Sequence, residues 1–204
     1  RRGPLGRPPS LGFHESQSRL WENWVGRSRP FLASLLPILR EELPGRFDEI
    51  GPEDLHRAAN RAGPSPIRVE ADEVTYNLHI ALRFELELSL FEGEIEPADL
   101  PEAWKELTRS YLGIEVAGDV EGILQDVHWA AGSFGYFPTY SLGNLIAAQL
   151  WEIAAREDPA LTAETSLGGL WPLREWLVGR LHRHAGRMLE IDRAQVYSYP
   201  ANYS

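Results

Sequence analysis

A chain of 204 residues, 43% of them apolar, can bury one sizeable core, and a single domain is the default for that length. Its 30 acidic against 20 basic residues leave a net charge of −10, which disfavours nucleic-acid phosphate and anionic lipid as partners. With no cysteine, disulfides and thiolate metal sites are excluded, and the absence of any apolar run near the length of a membrane span or secretory signal fits a cytoplasmic protein without a membrane partner.

In chain order, residues 1–10 carry Pro4, Pro8 and Pro9 and read as an irregular lead-in. A helix is predicted from about His14 to Val25, with Glu15, Arg19 and Glu22 on one side of it. Such a trio has two readings: a solvated ion-pair face, or a carboxylate held in one rotamer, as a metal ligand must be. It is not a His-Glu-x-x-His zinc motif, because the fifth position from His14 is Ser18. Residues 30–43 are apolar at Phe31, Leu35, Leu36 and Leu39, with Pro37 expected to kink or divide a helix there. Gly51-Pro52-Glu53-Asp54 opens a short helix that Gly63 closes.

The stretch 67–93 is ambiguous by pattern. From Val74 to Leu90 apolar residues alternate strictly, which is the strand template. The run is too long for an ordinary strand, however, and it is rich in Ala, Leu, Glu and Arg with no Gly or Pro before Gly93. The expectation is therefore a helix packed on several sides, in which Arg83, Glu85 and Glu87 need partners. Further helices are predicted from Asp99 to Gly113, with Trp104, Leu107 and Tyr111 inward, from Ser141 to Arg156, and from Pro172 to about His184. Between them, 114–140 reads as a glycine-rich, aromatic loop around one short helix. The chain is thus expected to be all-α and multi-helical, with no repeat of fixed period.

Four ordered blocks carry a family resemblance. Ser10-Leu11-Gly12-Phe13-His14-Glu15-Ser16-Gln17-Ser18-Arg19-Leu20-Trp21-Glu22-Asn23, Ile67-Arg68-Val69-Glu70-Ala71-Asp72, Gly122-Ile123-Leu124-Gln125-Asp126-Val127-His128-Trp129 and Gly135-Tyr136-Phe137-Pro138-Thr139-Tyr140-Ser141-Leu142-Gly143-Asn144 resemble, in order, blocks of the carboxypeptidase Taq family of helical metallocarboxypeptidases. The resemblance covers about residues 3 to 187 and implies the C-terminal part of a zincin-like helical enzyme. The tail 188–204 diverges from it. It implies that Glu15 is the third protein ligand of a Zn2+ or Co2+ ion. Two histidines and a general-base glutamate would come from a His-Glu-x-x-His helix lying upstream in the family, which this sequence does not contain. It also implies a peptide substrate, a homodimer and a cytoplasmic setting.

The chemistry of the residues can be set beside that resemblance. A carboxypeptidase must grip a free carboxylate, and Arg68 offers a planar guanidinium for it. The plainer reading pairs Arg68 with Asp72. A tetrahedral intermediate needs donors for its oxyanion, and His128, oriented by Asp126, with Tyr136 or Tyr140, is available. Otherwise Gln125, Asp126 and His128 form a buried polar network among aromatic neighbours. His79 reads as a hydrogen-bonded core histidine, His56 as surface, and His182 and His184 point too far apart on a helix to share a metal. The competing reading of the whole chain is a non-catalytic helical module that serves as a partner or dimerisation surface.

Overall fold

The computed structural model describes residues 8–184, and among them there are helices and no strand. The divergent tail expected at 188–204 lies outside the described residues.

Helix α1, Leu11–Arg19, starts where the Ser10 hydroxyl accepts a hydrogen bond from the Phe13 amide. It runs on without a break into a wider π-helical segment, Leu20–Gly26. The chain then turns at Ser28, whose hydroxyl caps α2, Arg29–Glu42, at the Phe31 amide. Of the two outcomes expected at Pro37, division does not occur: α2 runs through it. Pro37 and Ala33, the residue four before it, are both exposed, so the carbonyl that loses its partner does so on the solvent side. Helix α3, Pro52–Ala59, is the short one predicted, and it ends at Asn60 rather than at Gly63.

The alternating stretch does form a helix, α4, Tyr76–Glu92. Asp72 prepares its start: Oδ1 accepts from the amides of Val74 and Thr75, and Oδ2 from the Thr75 hydroxyl and the Gly63 amide. Gly93, in the left-handed region at φ 73°, ends it. As expected of a helix packed on several sides, α4 meets both of the long helices that follow it, Leu100–Leu112 and Pro138–Glu157, but it is not covered all round: Phe84, Leu88 and Phe91 are exposed. What it buries is one stripe of mixed chemistry, Tyr76, His79, Ile80, Arg83 and Glu87, flanked by the apolar pair Leu82 and Leu86. Helix α5, Leu100–Leu112, lies beside it, with Trp104 buried against Leu82 and Leu86. A loop with one short turn, Ile123–Gln125, leads to α6, Pro138–Glu157. Helices α7, Ala160–Ala163, and α8, Leu170–Leu177, are the last among the described residues, α8 continuing as wider turns over Val178–His182.

Two apolar cores result. The larger gathers Leu20 and Val25 with Ala147, Leu150 and Ala154 of α6, Leu161 of α7, and Leu173, Leu177 and Leu181. The other joins Leu82 and Leu86 of α4 to Trp104 and Leu112 of α5. A small third cluster, Ala71, Tyr76, Ile80 and Phe137, lies against the charged side chains described next.

Candidate functional site

Helices α1 and α6 touch at their backbones. A Cβ placed on Gly143 would lie 2.9 Å from both Cβ and Cγ of Glu15 and 3.1 Å from its carbonyl carbon, closer than real Cβ contacts come. The bare glycine thus lets the backbone of α6 press on the stem of Glu15 and fix where its carboxylate points. The Glu15 side chain is only 16% exposed, and Arg19, one turn on, brings Nε to 3.8 Å of its Oε1. Arg19 also donates from Nη1 to Glu22 at 3.0 Å, so the predicted Glu15, Arg19 and Glu22 side of the helix exists. It is solvated only at Glu22, whose side chain is half exposed. Arg19 is buried, its guanidinium carbon stands 3.7 Å over the Tyr76 ring, and its Nε and Nη2 make no hydrogen bond among the described residues.

Tyr76 connects this pair to Arg68, which donates from Nη1 to the Tyr76 hydroxyl at 3.0 Å. Arg68 sits in the short turn before α4, its own amide held by Gln125 Oε1 at 2.8 Å. Its guanidinium does not pair with Asp72, which is occupied in capping α4. It donates to Asp126 instead, from Nη2 to Oδ1 at 2.5 Å and from Nε at 3.0 Å. The other oxygen of Asp126 accepts from Arg83 Nε at 2.7 Å. One carboxylate therefore lies between two buried guanidiniums, Arg68 at 5% exposure and Arg83 at 0%.

The electrostatics follow from that geometry. Burial alone would push the Asp126 carboxyl up, but the hydrogen bonds and charges of Arg68 and Arg83 outweigh it and hold the group below the usual carboxylate range. Burial pushes Arg83 down to about 10, with Asp126 opposing, so Arg83 stays charged at neutral pH. His128 hangs beside them. Its Nδ1 is 3.7 Å from Asp126 Oδ1, and its Nε2 shares a 3.0 Å hydrogen bond with the Tyr140 hydroxyl. Burial, together with the charges of Arg68 and Arg83 and against that of Asp126, lowers its pKa, and the imidazole is neutral at pH 7. Burial raises the Tyr140 phenol to about 12.

Of the two tyrosines read from the sequence, Tyr140 is bonded to His128 and also covers Arg68, ring to guanidinium carbon 4.9 Å. The Tyr136 ring packs on His128 at 5.3 Å, while its hydroxyl makes no hydrogen bond among the described residues. His79 is buried on α4, its Nε2 without a hydrogen-bond partner among the described residues, and burial lowers its pKa to about 4. It belongs to the interior and not to the site. The His182 Nε2 hydrogen-bonds Gln17 Oε1, far from these groups in role.

Glu15, Arg68, His128 and Tyr136 thus come from four segments spread over more than half the chain and meet around Tyr76 and Tyr140. Sequence reasoning passed over Tyr76 and Gly143, and it set Arg19 beside Glu15 without finding its stacking on Tyr76. It named Arg83 as a helix charge needing a partner, without finding Asp126. As for a metal, no group of three His, Cys, Asp or Glu side chains among the described residues is placed to hold one. Catalytic zinc sites use three protein ligands, and Glu15 alone does not make such a site.

The model of the carboxypeptidase Taq (M32) metallopeptidase family matches residues 1–195. The chain belongs to this family. It is similar to thermostable carboxypeptidase 1 of Thermus thermophilus, 52% identical over 184 residues, which cover 90% of this chain and 36% of that protein. It is likewise 44% identical to carboxypeptidase 1 of Bacillus subtilis over 183 residues, again 90% of this chain and 36% of that one. Among solved structures, the Pyrococcus furiosus carboxypeptidase in its apo-Mg form superposes with a TM-score of 0.84 at 44% identity, covering 90% of this chain and 37% of that one. The all-helical architecture is therefore that of the family. The chain spans little more than a third of the length of the relatives it matches. The family is one of metallopeptidases, which implies a divalent metal, and the named relatives are carboxypeptidases. No helix among the described residues is long and apolar enough to cross a membrane.

Proposed function

We propose that this chain contributes the substrate-holding side of a metal-dependent carboxypeptidase that releases C-terminal amino acids from peptides. Residues 1–187 would correspond to the C-terminal helical part of that enzyme. Arg68 would engage the carboxylate of the peptide's last residue, because a guanidinium already turned by Asp126 and Tyr76 loses little freedom in accepting a second carboxylate. His128, neutral and fixed by Tyr140, and Tyr136, whose hydroxyl has no partner among the described residues, would face the oxyanion that develops at the scissile carbonyl.

Glu15 is offered as one ligand of a Zn2+ or Co2+ ion. The described residues do not by themselves fit a complete metal site. A homodimer and a cytoplasmic setting belong to the same reading. The observation that carries it is the meeting of Glu15, Arg68 and His128 through the shared partners Tyr76 and Tyr140.

The test is to assay the purified 204-residue chain with Zn2+ or Co2+ against a peptide with a free C-terminus, alone and mixed with a polypeptide that carries a family His-Glu-x-x-His helix. The expected result is no metal-dependent release by the chain alone and release by the mixture, abolished by Arg68→Met. A mixture that binds metal and stays inactive, or an Arg68→Met variant that keeps full activity, would overturn the assignment. A non-catalytic docking module is the second reading. It is favoured by the exposed apolar side chains Phe84, Leu88 and Phe91 on α4 and Leu142 and Leu145 on α6.

A further inference from the structure

Arg83 contributes nothing that a substrate could touch. It is wholly buried, and it sits on α4 with apolar or aromatic groups on two sides, its guanidinium carbon 4.5 Å from the Trp104 ring centre and 5.5 Å from that of Phe137. Burying a cation in such a place is costly, and a core helix could carry Leu or Met there at lower cost. What the cation does is fixed by its bonds. Nη1 donates to the His79 carbonyl one turn back on α4 at 2.8 Å, which locks the side chain to its own helix, and Nε donates to Asp126 Oδ2 at 2.7 Å. Four residues on, Glu87 holds the same loop a second time, accepting from Trp129 Nε1 at 2.8 Å and from the Gly135 amide. The two anchors bracket the His128 segment between Asp126 and Gly135.

We propose that Arg83 is a positioning residue of the site: acting through Asp126, it sets the direction of the Arg68 guanidinium and the orientation of the His128 ring. With Oδ2 accepting from Arg83, Oδ1 is turned to Arg68 and lies 3.7 Å from His128 Nδ1, a buried nitrogen that makes no hydrogen bond among the described residues. A proton on Nδ1 is then favoured by the facing carboxylate, which leaves Nε2 to accept from the Tyr140 hydroxyl. The proposal rests on the functional reading of Arg68 and His128, but its test needs no activity, so the two can fail separately.

The conservative variant Arg83→Lys keeps the charge and loses the planar fork, so one ammonium cannot hold both the His79 carbonyl and Asp126 in the same line. By NMR of the intact chain, the Arg68 Nε–H of Arg83→Lys is expected to exchange with solvent about tenfold faster than in the parent, because its acceptor is no longer fixed. The His128 ring should also change its titration midpoint and the balance of its two tautomers, seen in the 15N shifts of Nδ1 and Nε2. Arg83→Met should move both signals further in the same direction. Should that variant fail to fold, Arg83→Lys alone decides. An Arg83→Lys protein whose melting temperature falls while the Arg68 and His128 signals stay as in the parent would overturn the proposal, since Arg83 would then only hold α4 in place. If those signals move as expected and the carboxypeptidase assay fails, the positioning role stands and the functional reading falls.

Discussion

The interior has two halves built on opposite principles. Around Leu20, Ala147, Leu150 and Leu177 it is wholly apolar, and stability there is proportional to surface withdrawn from water. Around Asp126 the interior holds two guanidiniums and a carboxylate, with a third guanidinium, Arg19, close by on Tyr76. Charged groups in that position cost free energy to bury, and an apolar replacement of matching shape would be at least as stable. The comparison teaches that the charged half is arranged for direction: each of its members points somewhere definite, whereas Leu177 only has to be inside.

The largest effect should come from Asp126→Ala, which strands Arg68 and Arg83 together. Removing one member of a buried ion pair costs roughly 3–5 kcal/mol, and urea unfolding should register a loss of that size along with the loss of the Arg68 Nε–H signal. Leu177→Ala, in the other half, should cost a comparable but lower roughly 2–4 kcal/mol as a cavity opens. Here the Arg68 and His128 signals should stay as in the parent. If both variants disturbed the site equally, the division of the interior into two halves would not hold.

Next comes pH. His79 has its pKa lowered to about 4 by burial, so in the folded chain it stays neutral while the unfolded chain takes up a proton near the ordinary value of 6.5. The unfolded state binds more protons in that interval, so stability rises with pH there and is lost as pH falls from about 6.5 towards 4. The loss should be about 3 kcal/mol, seen as a sloping urea midpoint that flattens in His79→Asn. Asp72, held down to about 2 by the donors at the start of α4 against the effect of burial, adds its own loss in the same direction at lower pH. The smallest effect is expected from Gly143→Ala, about 1–3 kcal/mol as α1 and α6 are pushed apart. Its use is to move Glu15 without touching a charge: a crystal structure should find the Glu15 carboxylate displaced while the Arg68, Asp126 and Arg83 contacts persist.

Much of this was legible in the residues. The starts at Pro52 and Asp99 and the stops at Gly93 and Gly113 were readable, and the strict alternation from Val74 to Leu90 resolved to a helix because its length and composition outweigh its period. The same alternation explains why α4 buries Arg83 and Glu87 among apolar neighbours. The need of Arg83 for a partner was also legible. Its partner was not, because Asp126 stands 43 residues away and only the folded chain brings them together. Asp72 was the obvious local partner for Arg68, and it failed for a definable reason: four donors from Gly63, Val74 and Thr75 already saturate it. The wider turn after Arg19 left no mark in the sequence, since no proline or glycine announces it before Gly26.

That wider turn links the two halves. One continuous rod presents Glu15 and Arg19 to the ionic side and, past Arg19, Leu20 and Val25 to the greasy side, so the angular offset between its ends is set by the number of residues in the join. Inserting a single residue between Arg19 and Leu20 would swivel one end against the other by about 100°, and the chain would have to choose between seating Leu20 and aiming Glu15. This short piece of backbone works as a gear whose tooth count must be conserved, whatever side chains it carries.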